Sequence, residues 1–342
     1  MAVSRGQDRG ILSCIGRTPL VPLRKLLPDA DFELYAKLEC LNPGGSIKDR
    51  PALTILEHAM DRGEIGPDTV IIESSSGNMG IGLAQACRYF GLRFICVVDA
   101  KTAKQNIGIL RAYGAEVEQV LEPDPQTGEL LQARIRRVRD LRERHPDSFW
   151  PNQYANPMNP RAHDLSTMAE VADALDGRVD FLFVATSTCG TIRGCADYAR
   201  RHGMSTRIVA VDARGSRIFS EEKAERWIPG LGAGLRPEHF DPSLVDHFHH
   251  VTDLDCVRGC RTLVAREAIF AGGSSGAVVA ALERLQDLVP AGANCVLVLP
   301  DRGERYLDTV YSNDWVRERF GELEFLGPEW SFGGSGKLQA AS

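Results

Sequence analysis

Apolar positions along the chain fall into two rhythms that alternate. Solid runs such as Val70-Ile71-Ile72, Phe94-Ile95-Cys96-Val97-Val98, Val179 to Ala185, Ile208-Val209-Ala210-Val211 and Cys295 to Leu299 are short and bounded by turn formers. Such runs predict buried strands of a parallel sheet. Phe32 to Leu38 and Glu116 to Val120 alternate polar with apolar and read as further strands. Between them the spacing becomes helical, over Lys48 to Leu56, Leu83 to Phe90, Ala103 to Ala112, Leu130 to Arg144, Ala162 to Leu175, Asp255 to Ile269 and Ala277 to Leu288. Strand and helix in alternation predict an α/β fold, with mostly parallel twisted sheets flanked by helices on both faces.

The stretch Phe149 to Pro160 is dense in proline and asparagine, so it continues neither a helix nor a central strand and marks the crossing between two domains. The expected division is a smaller domain over 45–156 and a larger one over 10–44 plus 157–325. Ser331 onward is glycine-rich and polar, and 329–342 reads as a disordered tail.

Composition narrows the function classes. A formal charge of -6 on 342 residues lacks the basic surplus of a nucleic-acid binder, so no nucleic-acid partner is expected. No apolar run reaches the length of a membrane span, and Met1 to Arg9 lacks the apolar core of a secretory signal, so a cytoplasmic protein with no membrane partner is the expectation. The nine cysteines are odd in number and mostly set in apolar segments, which reads as buried free thiols. Neither Cys256 with Cys260 nor His247, His249 and His250 has a companion set at ligand spacing, and no metal is expected.

The candidate chemistry begins at Pro43-Gly44-Gly45-Ser46-Ile47-Lys48-Asp49-Arg50. A glycine turn followed by a helix places Lys48 on the first helical turn, where the positive end of the helix dipole favours the neutral amine. A neutral amine is a nucleophile that can hold an aldehyde. Two loops of small and hydroxyl residues, Ser74 to Gly80 and Thr186 to Thr191, each follow an apolar strand and precede a helix, the construction of an anion site. One reactive amine with two anion loops is what pyridoxal 5'-phosphate requires, an aldehyde with a phosphate handle.

On these stretches the chain resembles the cysteine synthase and cystathionine β-synthase family of pyridoxal-phosphate enzymes, from Gly16 to about Leu307. The matching motifs are Gly16-Arg17-Thr18-Pro19-Leu20, Ser46 to Arg50, Ser75-Ser76-Gly77-Asn78, Ser187 to Thr191, Gly273-Ser274-Ser275-Gly276 and Gly303-Glu304-Arg305-Tyr306, in that order. The resemblance implies the tryptophan synthase β-like fold, fold type II of these enzymes, and a homodimer. It also implies that Lys48 holds the cofactor as an internal aldimine and then takes the substrate's α-proton. Asn78 would bond the ring's phenolic oxygen, Ser187, Thr188, Cys189, Gly190 and Thr191 would cradle the phosphate, and Ser274 would meet the pyridine nitrogen. Ser75, Ser76 and Gln153 would bind the substrate α-carboxylate, with Gly77 and Met79 beside them.

This chain departs from the family pattern at Met79, where a threonine is usual, at Ser187 and Cys189, which replace glycines, and at Tyr154, which replaces phenylalanine. Added hydroxyls suit a second substrate that is larger and more polar than sulfide. They resemble the subgroup that joins O-phospho-L-serine to L-glutamate, through an aminoacrylate, giving N-(2-amino-2-carboxyethyl)-L-glutamate on the way to 2,3-diaminopropionate for siderophores or peptide antibiotics. Arg134, Tyr154 and Ser187 would then line the substrate pocket, Arg134 facing a phosphate or a carboxylate. The alternatives are an ordinary cysteine synthase using O-acetyl- or O-phosphoserine with sulfide, and a binding protein that keeps the fold without turnover.

Overall fold

The structure is a computed structural model, and it describes residues 9–222 and 224–323, so the tail expected over 329–342 lies outside the described residues. The strands are β1 (Leu20–Pro22), β2 (Glu33–Leu38), β3 (Val70–Ser74), β4 (Arg93–Asp99), β5 (Glu116–Val120), β6 (Ser148–Phe149), β7 (Phe181–Ala185), β8 (Arg207–Ala213), β9 (His247–Val251) and β10 (Asn294–Leu299). They form a four-stranded sheet in the order β5-β4-β3-β6 and a six-stranded sheet in the order β1-β2-β10-β7-β8-β9. Every pairing is parallel except β1 with β2. Strands β3, β7 and β10 are buried nearly end to end, as their unbroken apolar runs require.

The helices are α1 (Asp49–Asp61), α2 (Asn78–Phe90), α3 (Lys104–Ala112), α4 (Leu130–Arg144), α5 (Met158–Ala162), α6 (Met168–Ala174), α7 (Gly190–Arg201), α8 (Asp253–Glu267), α9 (Gly273–Leu285) and α10 (Asn313–Phe320). The helix expected over 162–175 is longer and broken: α5 and α6 are joined by a π-helical turn, His163–Thr167. It starts early because Pro157 and Pro160 fall at its N-terminus, where a missing N–H leaves no hydrogen bond unmade. Likewise α9 begins at Gly273, not at Ala277, with the Gly-Ser-Ser-Gly motif as its first turn. A Cβ at Gly276 would lie 2.0 Å from the Cys256 carbonyl oxygen, so the small residues there let α8 and α9 meet backbone to backbone. Short pieces with weak patterns, β1, β6 and α10, carried no sequence signal of their own.

All nine cysteines are free thiols, and only Cys14 is exposed. Among the described residues no helix is long and apolar enough to cross a membrane.

Candidate active site

The lysine turn is held from two directions. Gly45 takes a left-handed φ of +85°, and Gly44 has Asp49 against it, where a Cβ would stand 2.5 Å from the carboxylate. The Asp49 carboxylate accepts from the Gly44 N–H at 2.5 Å, and burial raises its pKa to about 7. Across the turn, Ile47 N donates to the Pro300 carbonyl at 2.8 Å and Arg302 N to that of Gly45 at 3.3 Å, tying the turn to the end of β10. Arg305 Nη2 closes the strap onto the Gly44 carbonyl at 2.5 Å.

Lys48 therefore sits at the helix cap rather than within its first turn, and Ser46 Oγ accepts from its backbone N–H at 3.2 Å. Its Nζ has no hydrogen-bond or ion-pair partner among the described residues. Desolvation pulls its pKa below the usual lysine range, opposed by the charges of Asp301 and Glu39. Burial supplies the effect that the sequence assigned to the helix dipole.

Opposite the amine lies the loop that joins β7 to α7. Lys48 and Ser187, Thr188, Cys189, Gly190 and Thr191 line one small cavity, of about 20 Å³, together with Val298, Pro300 and Gly230. Cys189 adopts the left-handed region, φ +61°, at the cap of α7, and its side chain turns into the core, where burial pushes the thiol up to about 12. The N–H groups at the start of α7 lie beside the positive end of that helix, where an anion is stabilised. Asn159 fixes the turn by donating to Thr188 Oγ1 at 3.2 Å and to the Gln153 carbonyl at 2.6 Å. Behind it, the buried His163 of the π-helical turn contacts Thr191 Oγ1 at 3.3 Å through Nε2, and desolvation keeps the imidazole neutral.

The second loop runs from β3 into α2. Ser75 Oγ accepts from Gly80 N at 2.9 Å, and Asn78 Nδ2 donates to Asp301 Oδ2 at 2.8 Å while its carbonyl oxygen accepts from Arg305. Ser76 donates to Asp99 Oδ2 at 3.0 Å and accepts from Arg134 Nη1 at 2.5 Å. Arg134 also pairs with Asp99 at 3.2 Å, which neutralises its charge locally. Gly77 is partly exposed at the cap of α2, whereas the Met79 side chain, 2% exposed, packs into the hydrophobic core, so this residue presents only backbone to the loop. Gln153 and Tyr154 arrive from the proline-rich crossing. The Gln153 backbone N–H donates to Glu73 Oε2 at 3.2 Å, and desolvation raises the pKa of the Tyr154 phenol. Ser274 is buried in the first turn of α9 with no side-chain hydrogen bond among the described residues.

Several contributors escaped the sequence reading. Asp301 accepts from Asn78 and, at 2.7 Å, from Tyr306, while its Oδ1 is buried without a partner. Glu73, its pKa raised to about 7 by burial, holds Trp150 Nε1 at 3.1 Å. His163 and Gly230 are remote in sequence from the residues they serve. Only Tyr306, within a quoted motif, had any signal. The free amine, the Ser274 hydroxyl with no hydrogen bond among the described residues, and the helix-capping turn at 187–191, where a Cβ on Gly190 would strike Asn159 at 2.1 Å, are the groups pyridoxal phosphate calls for.

Residues 11–301 match the family model described as pyridoxal-phosphate dependent enzyme. The chain is 49% identical over 308 residues to an N-(2-amino-2-carboxyethyl)-L-glutamate synthase of Ralstonia nicotianae, covering 90% of this chain and 91% of that protein. It is 48% identical over 309 residues to the enzyme of the same name from Cupriavidus metallidurans, covering 90% of each. Among solved structures it resembles an O-acetylserine dependent cystathionine β-synthase from Helicobacter pylori, with a TM-score of 0.83 and 30% identity over 90% of this chain and all of that one.

Proposed function

The chain belongs to the pyridoxal-phosphate dependent enzymes, and from that premise we propose that it joins O-phospho-L-serine to L-glutamate, giving N-(2-amino-2-carboxyethyl)-L-glutamate and phosphate. The observation that carries the reading is the partnerless Lys48 amine lining the same cavity as the 187–191 loop. When bound, pyridoxal phosphate supplies an aldehyde and an electron sink for charge at the α-carbon of an amino acid. Lys48 would hold it, the backbone N–H groups of 188–191 would take its phosphate, Ser274 would face the ring nitrogen, and Asn78 has an N–H left over after its bond to Asp301.

Once released from the cofactor, Lys48 Nζ, depressed in pKa, would accept the proton from the α-carbon of phosphoserine. Ser75 and Gln153 orient the α-carboxylate. The carbon–oxygen bond to phosphate then breaks, a carbon–nitrogen bond forms from the α-amine of glutamate, one proton of that amine leaves with the phosphate, and the α-proton is returned. Tyr154 and Ser187 offer hydroxyls to the second substrate at the place where sulfide would need none. The same reading includes a cytoplasmic homodimer with amino-acid substrates, en route to 2,3-diaminopropionate, and domains divided as 45–156 and 10–44 plus 157–325.

Mass spectrometry of the product from phosphoserine and glutamate, with phosphate release measured in parallel, tests this. The expected result is one adduct formed in step with phosphate. Formation of cysteine from added sulfide, with no glutamate adduct, would contradict it.

A further inference from the structure

A dicarboxylate nucleophile needs a cation at the rim, and the cation first expected there is already occupied. Arg134 is held by Asp99 and Ser76, with only 12% of its side chain exposed. Arg226 is different. It lies in the loop after β8, half-buried, and among the described residues it has no ion pair. Its one hydrogen bond runs from Nη1 to the Leu231 carbonyl at 3.3 Å.

Arg226 is placed by glycines. Gly232 takes a left-handed φ of +70°, which favours glycine, and its Cβ position lies 2.7 Å from Arg226 Nη1, so the guanidinium rests against this strip. Gly232 N donates to the Thr186 carbonyl at 2.7 Å, which anchors the strip beside Ser187. Gly230, two residues earlier, lines the Lys48 cavity. At the other end, Gly234 has Arg226 Nη2 and Glu129 Oε2 each 3.9 Å from its Cβ position, so the guanidinium and the residue before α4 flank the same glycine. The charges of Arg134 and Arg226 both act on the Tyr154 phenol.

We propose that Arg226 binds the distal carboxylate of the amino-acid nucleophile at the rim of the Lys48 cavity. This rests on the reading of glutamate as second substrate. The α-amine of glutamate must enter the cavity, so its side-chain carboxylate, four bonds away, points outward. A planar guanidinium with no ion pair among the described residues, and a single hydrogen bond to the Leu231 carbonyl, suits a carboxylate there.

The experiment compares holoenzyme wild type with Arg226→Gln, using L-glutamate and L-glutamine as nucleophiles at saturating phosphoserine. The variant is expected to lower kcat/KM for glutamate at least tenfold and to erase the preference over glutamine, with KM for phosphoserine within twofold. Arg226→Lys, which keeps the charge but not the fork, is expected to fall between, and guards against a fold defect in the glutamine variant. An unchanged glutamate-to-glutamine ratio in both variants, or a rise in phosphoserine KM in its place, overturns the assignment. A wild type that makes no glutamate adduct overturns the underlying reading and this assignment with it, whereas an active wild type with indifferent variants overturns this assignment alone.

Discussion

Glu170 gathers the buried cations beneath the lysine turn. Its carboxylate accepts from Arg50 Nη1 at 2.6 Å and Nη2 at 2.7 Å, from Lys37 Nζ at 2.6 Å and from the Arg17 backbone at 2.9 Å. Burial alone would raise its pKa, but the bonds and charge of Arg50, then Lys37, bring it from 4.5 down to about 2. A depressed carboxylate stabilises the fold above its unfolded pKa, and that contribution fades as pH falls from about 4.5 towards 2. Glu170→Gln is therefore expected to be less stable than wild type in urea unfolding at pH 6, and the gap to narrow at pH 3; a gap that stays constant would contradict the assignment. Nothing in Ala169-Glu170-Val171 marks this residue, because a helix glutamate looks the same in sequence whether it faces water or a buried arginine. Lys48 and Asn78 were legible because each stands in a motif whose neighbours fix its place.

The turn between β7 and α7 was legible as an element, since strand, small residues and helix follow one another locally. What the sequence could not convey is how tightly the turn is packed from behind. Asn159 is 1% exposed and its Nδ2 is held by two hydrogen bonds, so its Oδ1 has little room to yield to a Cβ arriving at 2.1 Å. Overpacking of this kind typically costs about 1–3 kcal/mol. Gly190→Ala is accordingly expected to weaken cofactor retention at least tenfold, read by absorbance titration of the cofactor. Wild-type retention would show that the turn has slack. The strip Gly230 to Gly234 stayed unread for the opposite reason: its role depends on a bond to Thr186, far away in sequence.

At the scale of the whole molecule, the site is a seam. The four-stranded sheet delivers the Ser75–Asn78 loop, the six-stranded sheet delivers the Ser187–Thr191 loop, and the end of β10 holds the lysine turn between them. Parallel order made this arrangement inferable, because every parallel strand points its carboxyl end, and hence its loop, to the same side of its sheet. Which side chains then meet across the seam, such as Asn78 with Asp301, was not, since no periodicity encodes contacts between separate sheets. The measurement that bears most directly on all of this is borohydride reduction of the holoenzyme followed by peptide mapping. A single pyridoxyl label on Lys48 is the predicted result, lost together with turnover in Lys48→Ala, and a label on any other residue, or none, would contradict it.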